Sequence, residues 1–189
     1  MKKNISLILA IVMVSFAFAQ KTYTFDKNHS RLAFSAVHLG ISHVEGIFKS
    51  FDATFVSTKE DFSDAQIEMN ADIKSLSTEV EMRDNALRDN WFEVAKYQTL
   101  SFKSTVLKKV LGNIYKLEGN ISLHGVTKPI TFNVVFNGKG QNPFSKKYSY
   151  GFTITGKLHR SDFGLGKDAS STGVSNDIEL KSNVEFIIN

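Results

Sequence analysis

Residues 117–136 read LEGNISLHGVTKPITFNVVF. Leu117, Gly119, Ile121 and Leu123 alternate with Glu118, Asn120, Ser122 and His124. Beyond Gly125-Val126-Thr127-Lys128-Pro129, the residues Ile130, Phe132, Val134 and Phe136 alternate with Thr131, Asn133, Val135 and Asn137. Successive side chains of an extended chain point to opposite faces, so period-2 alternation marks a strand with one buried face. Two such strands around a Gly- and Pro-bearing connection predict an antiparallel hairpin. Its turn is expected at 125–129, with Pro129 opening the second strand, where a missing N–H is tolerated.

The same alternation recurs along the chain. Tyr23 and Phe25 lead, past a turn at Asp26-Lys27-Asn28, into Leu32, Phe34, Ala36 and His38. Residues 44–56 change parity between Phe48 and Phe51, which predicts a bulge or bend. Ala65, Ile67, Met69, Ala71 and Ile73 form one set, and Leu100, Phe102, Ser104 and Val106 another, before a turn region at Lys108-Lys109. Tyr148 to Leu158 and Ile178 to Ile188 close the series. Residues 75–97 interrupt it. Thr78 with Glu81 fits a capping box, and Met82, Ala86 and Leu87 sit at helical spacing. Asp89 is placed to cap a second short turn through Trp91, Phe92 and Val94.

Eight or more half-buried antiparallel strands must hide their apolar faces and their edges. Closure into a barrel does both, and a barrel of about eight strands is either filled or holds one small ligand. A two-sheet sandwich satisfies the same parity.

Lys2 and Lys3, an apolar run over 5–18 and the Ala17-Phe18-Ala19 ending describe a secretory signal peptide cleaved after Ala19. The expected organisation is a leader over 1–19 and one domain over 20–189, exported to the periplasm or outside the cell. Without the two leader lysines the basic excess falls to two, with no basic run, which argues against nucleic acid as a partner. The chain has no cysteine, so neither disulfides nor a lipidated cysteine contribute, and its sixteen phenylalanines, all but Phe16 and Phe18 beyond the leader, supply core area instead.

Chemistry-bearing motifs are scarce. His29, His38 and His43 match no zinc spacing, so no metal is expected; His38 shares the parity of Phe34 and Ala36 and so points inward. His159-Arg160-Ser161-Asp162-Phe163-Gly164 contains fragments of kinase signatures, compressed into six residues and without the glycine-rich loop. No Gly-x-Ser-x-Gly elbow occurs. Asp84, Asp89 and Glu93 read as a solvated helical face. What remains is a concave apolar interior, suited to a lipophile.

Four segments resemble the YceI-like family, in order, across residues 23–186. They are Val37-His38-Leu39-Gly40 through Gly46-Ile47-Phe48; Arg83-Asp84-Asn85-Ala86-Leu87 with Trp91-Phe92 and Ala95-Lys96-Tyr97; Gly125-Val126-Thr127-Lys128-Pro129; and Arg160-Ser161-Asp162-Phe163-Gly164. The resemblance implies an all-β fold: an extended eight-stranded antiparallel barrel, lipocalin-like, with one or two short inserted helices. It implies a polyisoprenoid or another long amphiphile as ligand, no enzymatic activity and no cofactor, with an isoprenoid quinone as candidate cargo and a membrane cytochrome as candidate partner. Ala86 stands where the family often has histidine, and Gln98 where it often has proline.

The expected function is an exported carrier. Its apolar lining is expected from Phe34, Ala36, Ile67, Met69, Phe102, Leu117, Ile121, Phe132, Val134, Phe152, Ile154, Val184 and Phe186. His38, Arg83, Asp84, Arg160 and Asp162 are the headgroup candidates at the mouth, although Arg160 and Asp162 also suit a structural tie for the last loop. Two rivals stand beside this reading: a lipid-modifying enzyme with His38 as base, and a filled barrel acting as an interaction module, with a homodimer as candidate assembly.

Overall fold

Alternating sequence becomes eight walls. The computed structural model describes residues 21–167 and 173–189, so the expected leader over 1–19 lies outside the described residues. Among the described residues, strands β1 (Lys21–Phe25) and β2 (Arg31–His38) are successive halves of one wall, broken by a 3-10 turn at Lys27–His29 that Asp26 caps. β3 (Ser42–Phe48) and β4 (Phe51–Ser57) form the second wall, and β5 (Gln66–Asp72) and β6 (Leu76–Ser77) the third. β7 (Thr99–Leu111), β8 (Ile114–Leu123), β9 (Val126–Gln141), β10 (Tyr148–His159) and β11 (Val174–Ile188) complete the set. Each wall pairs antiparallel with the next, and β11 closes on the first through Tyr23↔Ile188 and Phe25↔Phe186. The result is a closed up-and-down barrel, not a sandwich.

The breaks of the second and third walls lie side by side. Lys49 N donates to Ser75 O at 3.2 Å, Ser50 N to Ser75 Oγ at 2.9 Å, and Asp72 N to Ser50 O at 3.0 Å, so the breaks satisfy one another's backbone groups. The parity change between Phe48 and Phe51 is this bend. Beyond it, β6 pairs with β3 but not with β7, whose last partner in β5 is Asp72↔Thr99. Residues 78–98 enter at that gap, as helix α1 (Glu81–Ala86) running into a wider turn at Leu87–Trp91.

Local details depart from expectation in four places. The hairpin turn is His124-Gly125, both at positive φ (52° and 76°), as a two-residue turn between twisted strands requires. Val126 already pairs with Leu123 and Pro129 with Asn120, so Pro129 lies inside β9. β7 runs past Lys108-Lys109 to Leu111, and a bulge at Thr105 turns Val106 out and Leu107 in. Thr78 caps no helix: Val80 occupies the N-cap without a side-chain bond, while Thr78 binds Asp84. A single short helix forms, and Asp89 starts no second one.

One end of the barrel is stoppered. Phe62, from the β4–β5 loop, is buried with left-handed backbone (φ 60°), a costly setting for a bulky residue. Its ring lies edge-on to Phe55, Phe136, Tyr150 and Phe152, with centroids 5.4 to 5.8 Å apart, and this packing holds the strained loop inside.

Candidate functional site

Between the stopper and α1 the interior is hollow. Parity turns Phe34 and Ala36 of β2, Val44 of β3, Leu123 of β8, Leu158 of β10 and Ile178 of β11 inward around a cavity of about 330 Å³. Leu87, Trp91 and Phe92 of the insertion cover it. Its polar lining consists of Thr78, His38, Arg83 and Arg160. A second chamber of about 90 Å³ lies deeper, and Leu100 and Leu180 line both. Ile67, Met69, Phe102, Leu117, Ile121, Phe132, Val134, Phe152, Ile154, Val184 and Phe186 all line this inner chamber. All thirteen residues expected as lining therefore face one chamber or the other. Among the described residues no carboxylate lines either.

The five headgroup candidates separate. His38 and Arg83 line the outer cavity, and the His38 ring makes no hydrogen bond among the described residues. Arg83 donates from Nε to Thr78 Oγ1 (2.7 Å) and from Nη2 to Thr78 O (2.9 Å), leaving Nη1 unengaged among the described residues. Arg160 also reaches the cavity, but its fork is taken. Nε donates to Ser175 O, Nη1 to Leu165 O and Gly166 O at 3.0 and 2.8 Å, and Nη2 to Val174 O. Its guanidinium sits 5.4 Å from the Trp91 ring. Arg160 is thus the structural tie of the β10–β11 connection.

The two aspartates are corrected. Asp162 is exposed and lines no cavity. Asp84 is buried away from the cavity, where its carboxylate accepts from Thr78 N at 2.7 Å and from Thr78 Oγ1 at 2.5 Å. Burial pushes the Asp84 pKa up, but these bonds and the Arg88 charge outweigh it and hold the group below the usual carboxylate range. Its work is to fasten the insertion, so that Thr78, Asp84 and Arg83 form one connected polar unit at the edge of the cavity.

A second clasp escaped the sequence reading. His124 Nδ1 lies 2.8 Å from Phe163 O and Nε2 lies 2.7 Å from Glu93 Oε2, while its ring packs edge-on to Tyr97 at 4.4 Å. The tight turn thereby joins the insertion to the last loop. Gly125 is needed there, since a Cβ would come within 2.7 Å of the Tyr97 ring. At the far side of the barrel, Asp26, His29 and Glu185 place donor atoms within 4.8 Å of one another. Asp26 and His29 already pair at 2.9 Å.

The architecture is that of a closed β-barrel with a lidded apolar cavity and a few polar groups at its edge. The chain belongs to the YceI-like family, whose domain matches residues 23–186. It is similar to a UPF0312 protein of Vibrio cholerae, 32% identical over 193 residues and 99% of each chain. It is also similar to Protein YceI of Salmonella arizonae, 34% identical over 99% of this chain and 98% of that one. Among solved structures, the Campylobacter jejuni YCEI protein is 27% identical, with a TM-score of 0.71 over 100% of this chain and 99% of that one. A polyisoprenoid binding domain from Saccharophagus degradans shares the fold at 16% identity, with a TM-score of 0.63 over 88% of this chain and 98% of that one.

Proposed function

We propose that this protein is an exported carrier that holds one long isoprenoid or similar amphiphilic lipid in its two chambers. The observation that carries this reading is an interior cavity of ligand size whose lining is almost wholly apolar and free of carboxylates. Each methylene transferred from water into such a site contributes about 0.8 kcal/mol, so a long chain offsets the cost of association without a strong polar contact. The polyisoprenoid binding of the Saccharophagus domain supports an isoprenoid over a straight acyl chain. Arg83, with Nη1 unengaged, and His38 are the groups that meet an oxygen-bearing head, such as that of a quinone.

A binding role is favoured over catalysis because the lining is almost wholly apolar and the His38 ring has no hydrogen-bonded orienting group among the described residues. The test is expression with the leader, purification from the periplasm, and solvent extraction followed by mass spectrometry. We expect a mature N-terminus at Gln20 and a co-purified isoprenoid near one per protein. A lipid-free protein that also takes up no added prenol or quinone would refute the carrier reading, and turnover of a lipid that His38→Ala abolishes would replace it with the enzyme.

A further inference from the structure

The stoppered end of the barrel carries a surface that the cavity does not explain. Two hairpin tips project there. The β7–β8 tip is bonded to β9 through Phe136 N to Asn113 O at 2.8 Å and Asn113 Nδ2 to Phe136 O at 3.0 Å. The β9–β10 hairpin continues beyond it to Gln141↔Tyr148. Lys108, Lys109 and Lys116 belong to the first tip, and Lys139, Lys146 and Lys147 to the second. All six are exposed, and none forms an ion pair among the described residues. Lys108 and Lys116 are direct cross-strand partners, a like-charge pairing that destabilises a hairpin unless an anion compensates it.

Between these charges stand large apolar side chains. Phe144 is 93% exposed and Leu111 75%, with Val110 and Ile114 also open to solvent. Phe144 is held out by an ordered loop. Asn142 Oδ1 accepts from Phe144 N and Ser145 N, Lys146 N donates to Asn142 O, and Asn142 N donates to Lys147 O, each at 2.9 to 3.0 Å. Lys116 donates to Asn133 Oδ1, and Lys109 and Lys139 lie over the Tyr115 and Tyr148 rings, so none of the six charges is neutralised by a carboxylate among the described residues. Exposed apolar residues on fixed tips among such lysines match the two components of an anionic bilayer surface: charged heads and the acyl boundary beneath. The mouth has exposed Leu39, Ile41, Val80 and Met82 of its own, but Glu79 and Glu81 flank the last two, whereas at the stoppered end six lysines outnumber the exposed Glu60 and Asp61 of the β4–β5 loop.

We infer that the β7–β8 and β9–β10 tips dock the barrel on an anionic lipid bilayer, with Phe144 and Leu111 entering the interface and the lysines meeting the headgroups. Docking by this end leaves the lidded cavity clear of that membrane. The inference does not depend on cargo, so lipid-free protein docks as well as loaded protein.

Vesicle flotation tests it, with mixed phosphatidylethanolamine–phosphatidylglycerol vesicles against phosphatidylcholine alone. The protein should float with the anionic vesicles only and lose at least about ten-fold in binding when salt rises from about 0.1 to about 0.5 M. Lys146→Gln with Lys147→Gln should weaken binding by about five-fold per lysine, and Phe144→Ser should weaken it as well. Ile41→Ser and Met82→Ser should leave it unchanged, with circular dichroism confirming that each variant is folded. Absence of flotation would overturn the inference, as would salt-insensitive binding to phosphatidylcholine lost on Ile41→Ser or Met82→Ser. Heparin binding as tight as vesicle binding, with Phe144→Ser without effect, would overturn it in favour of a soluble polyanion.

Discussion

Arg160 shows how one side chain can organise a loop without a counter-ion. It is buried, and its guanidinium is satisfied by four backbone carbonyls and the Trp91 face. A planar fork meets four acceptors spread around three nitrogens, whereas an ammonium offers three donors from a single point. Arg160→Met strands those carbonyls and is expected to lower the unfolding free energy by about 3 kcal/mol in urea titration. Arg160→Lys should recover only a small part of that. Wild-type stability in the lysine variant would show that charge, not fork geometry, matters here. The residue was visible in the sequence as part of a motif, but its partners at 165, 166, 174 and 175 were not, because a carbonyl leaves no mark on residue type.

At the level of the strand, inward glycines decide where aromatic rings lie. A Cβ on Gly119 would come within 2.4 Å of Lys103 O and 2.5 Å of the Phe102 ring. Backbone cannot yield as a ring can, so Gly119→Ala should destabilise the β7–β8 pair by about 2 kcal/mol, read as a lower unfolding midpoint. Gly46 differs. The three atoms nearest a Cβ there all belong to the Phe34 ring, the first at 2.3 Å, and that ring borders the outer cavity. Gly46→Ala should therefore leave stability nearly intact while turning Phe34 into the cavity and weakening lipid uptake. Equal stability losses in the two variants would contradict this contrast. The parity of these strands was plain in the sequence. The bulge at Thr105 and the early turn at His124-Gly125 were not, since a one-residue slip changes pairing without changing composition.

For the molecule as a whole, the two chambers joined at Leu100 and Leu180 set how much chain can enter. Leu180→Phe places a larger ring at this junction. We expect the variant to fold, at a cost of about 1–3 kcal/mol, and to retain a shorter lipid than the unaltered protein by mass spectrometry of the extract. An unchanged lipid length would mean that the inner chamber takes no part in binding. Phe62 backs Phe55 and Phe152 of the inner chamber, and an inserted ring from a loop of positive φ has no periodic signature by which it could be foreseen.

By itself the sequence determined which face of most strands is buried, that at least eight such segments exist, the bend between Phe48 and Phe51 and the apolar character of the interior. These are local properties, written in the alternation of neighbouring side chains. Only the tertiary structure decided that the walls close on one another and not into a sandwich, through the pairing of β1 with β11. It also decided that the barrel is stoppered at one end and hollow at the other, and that Asp84 and Arg160 fasten the lid and last loop. Each of these depends on residues far apart in the chain meeting in space, which periodicity does not encode.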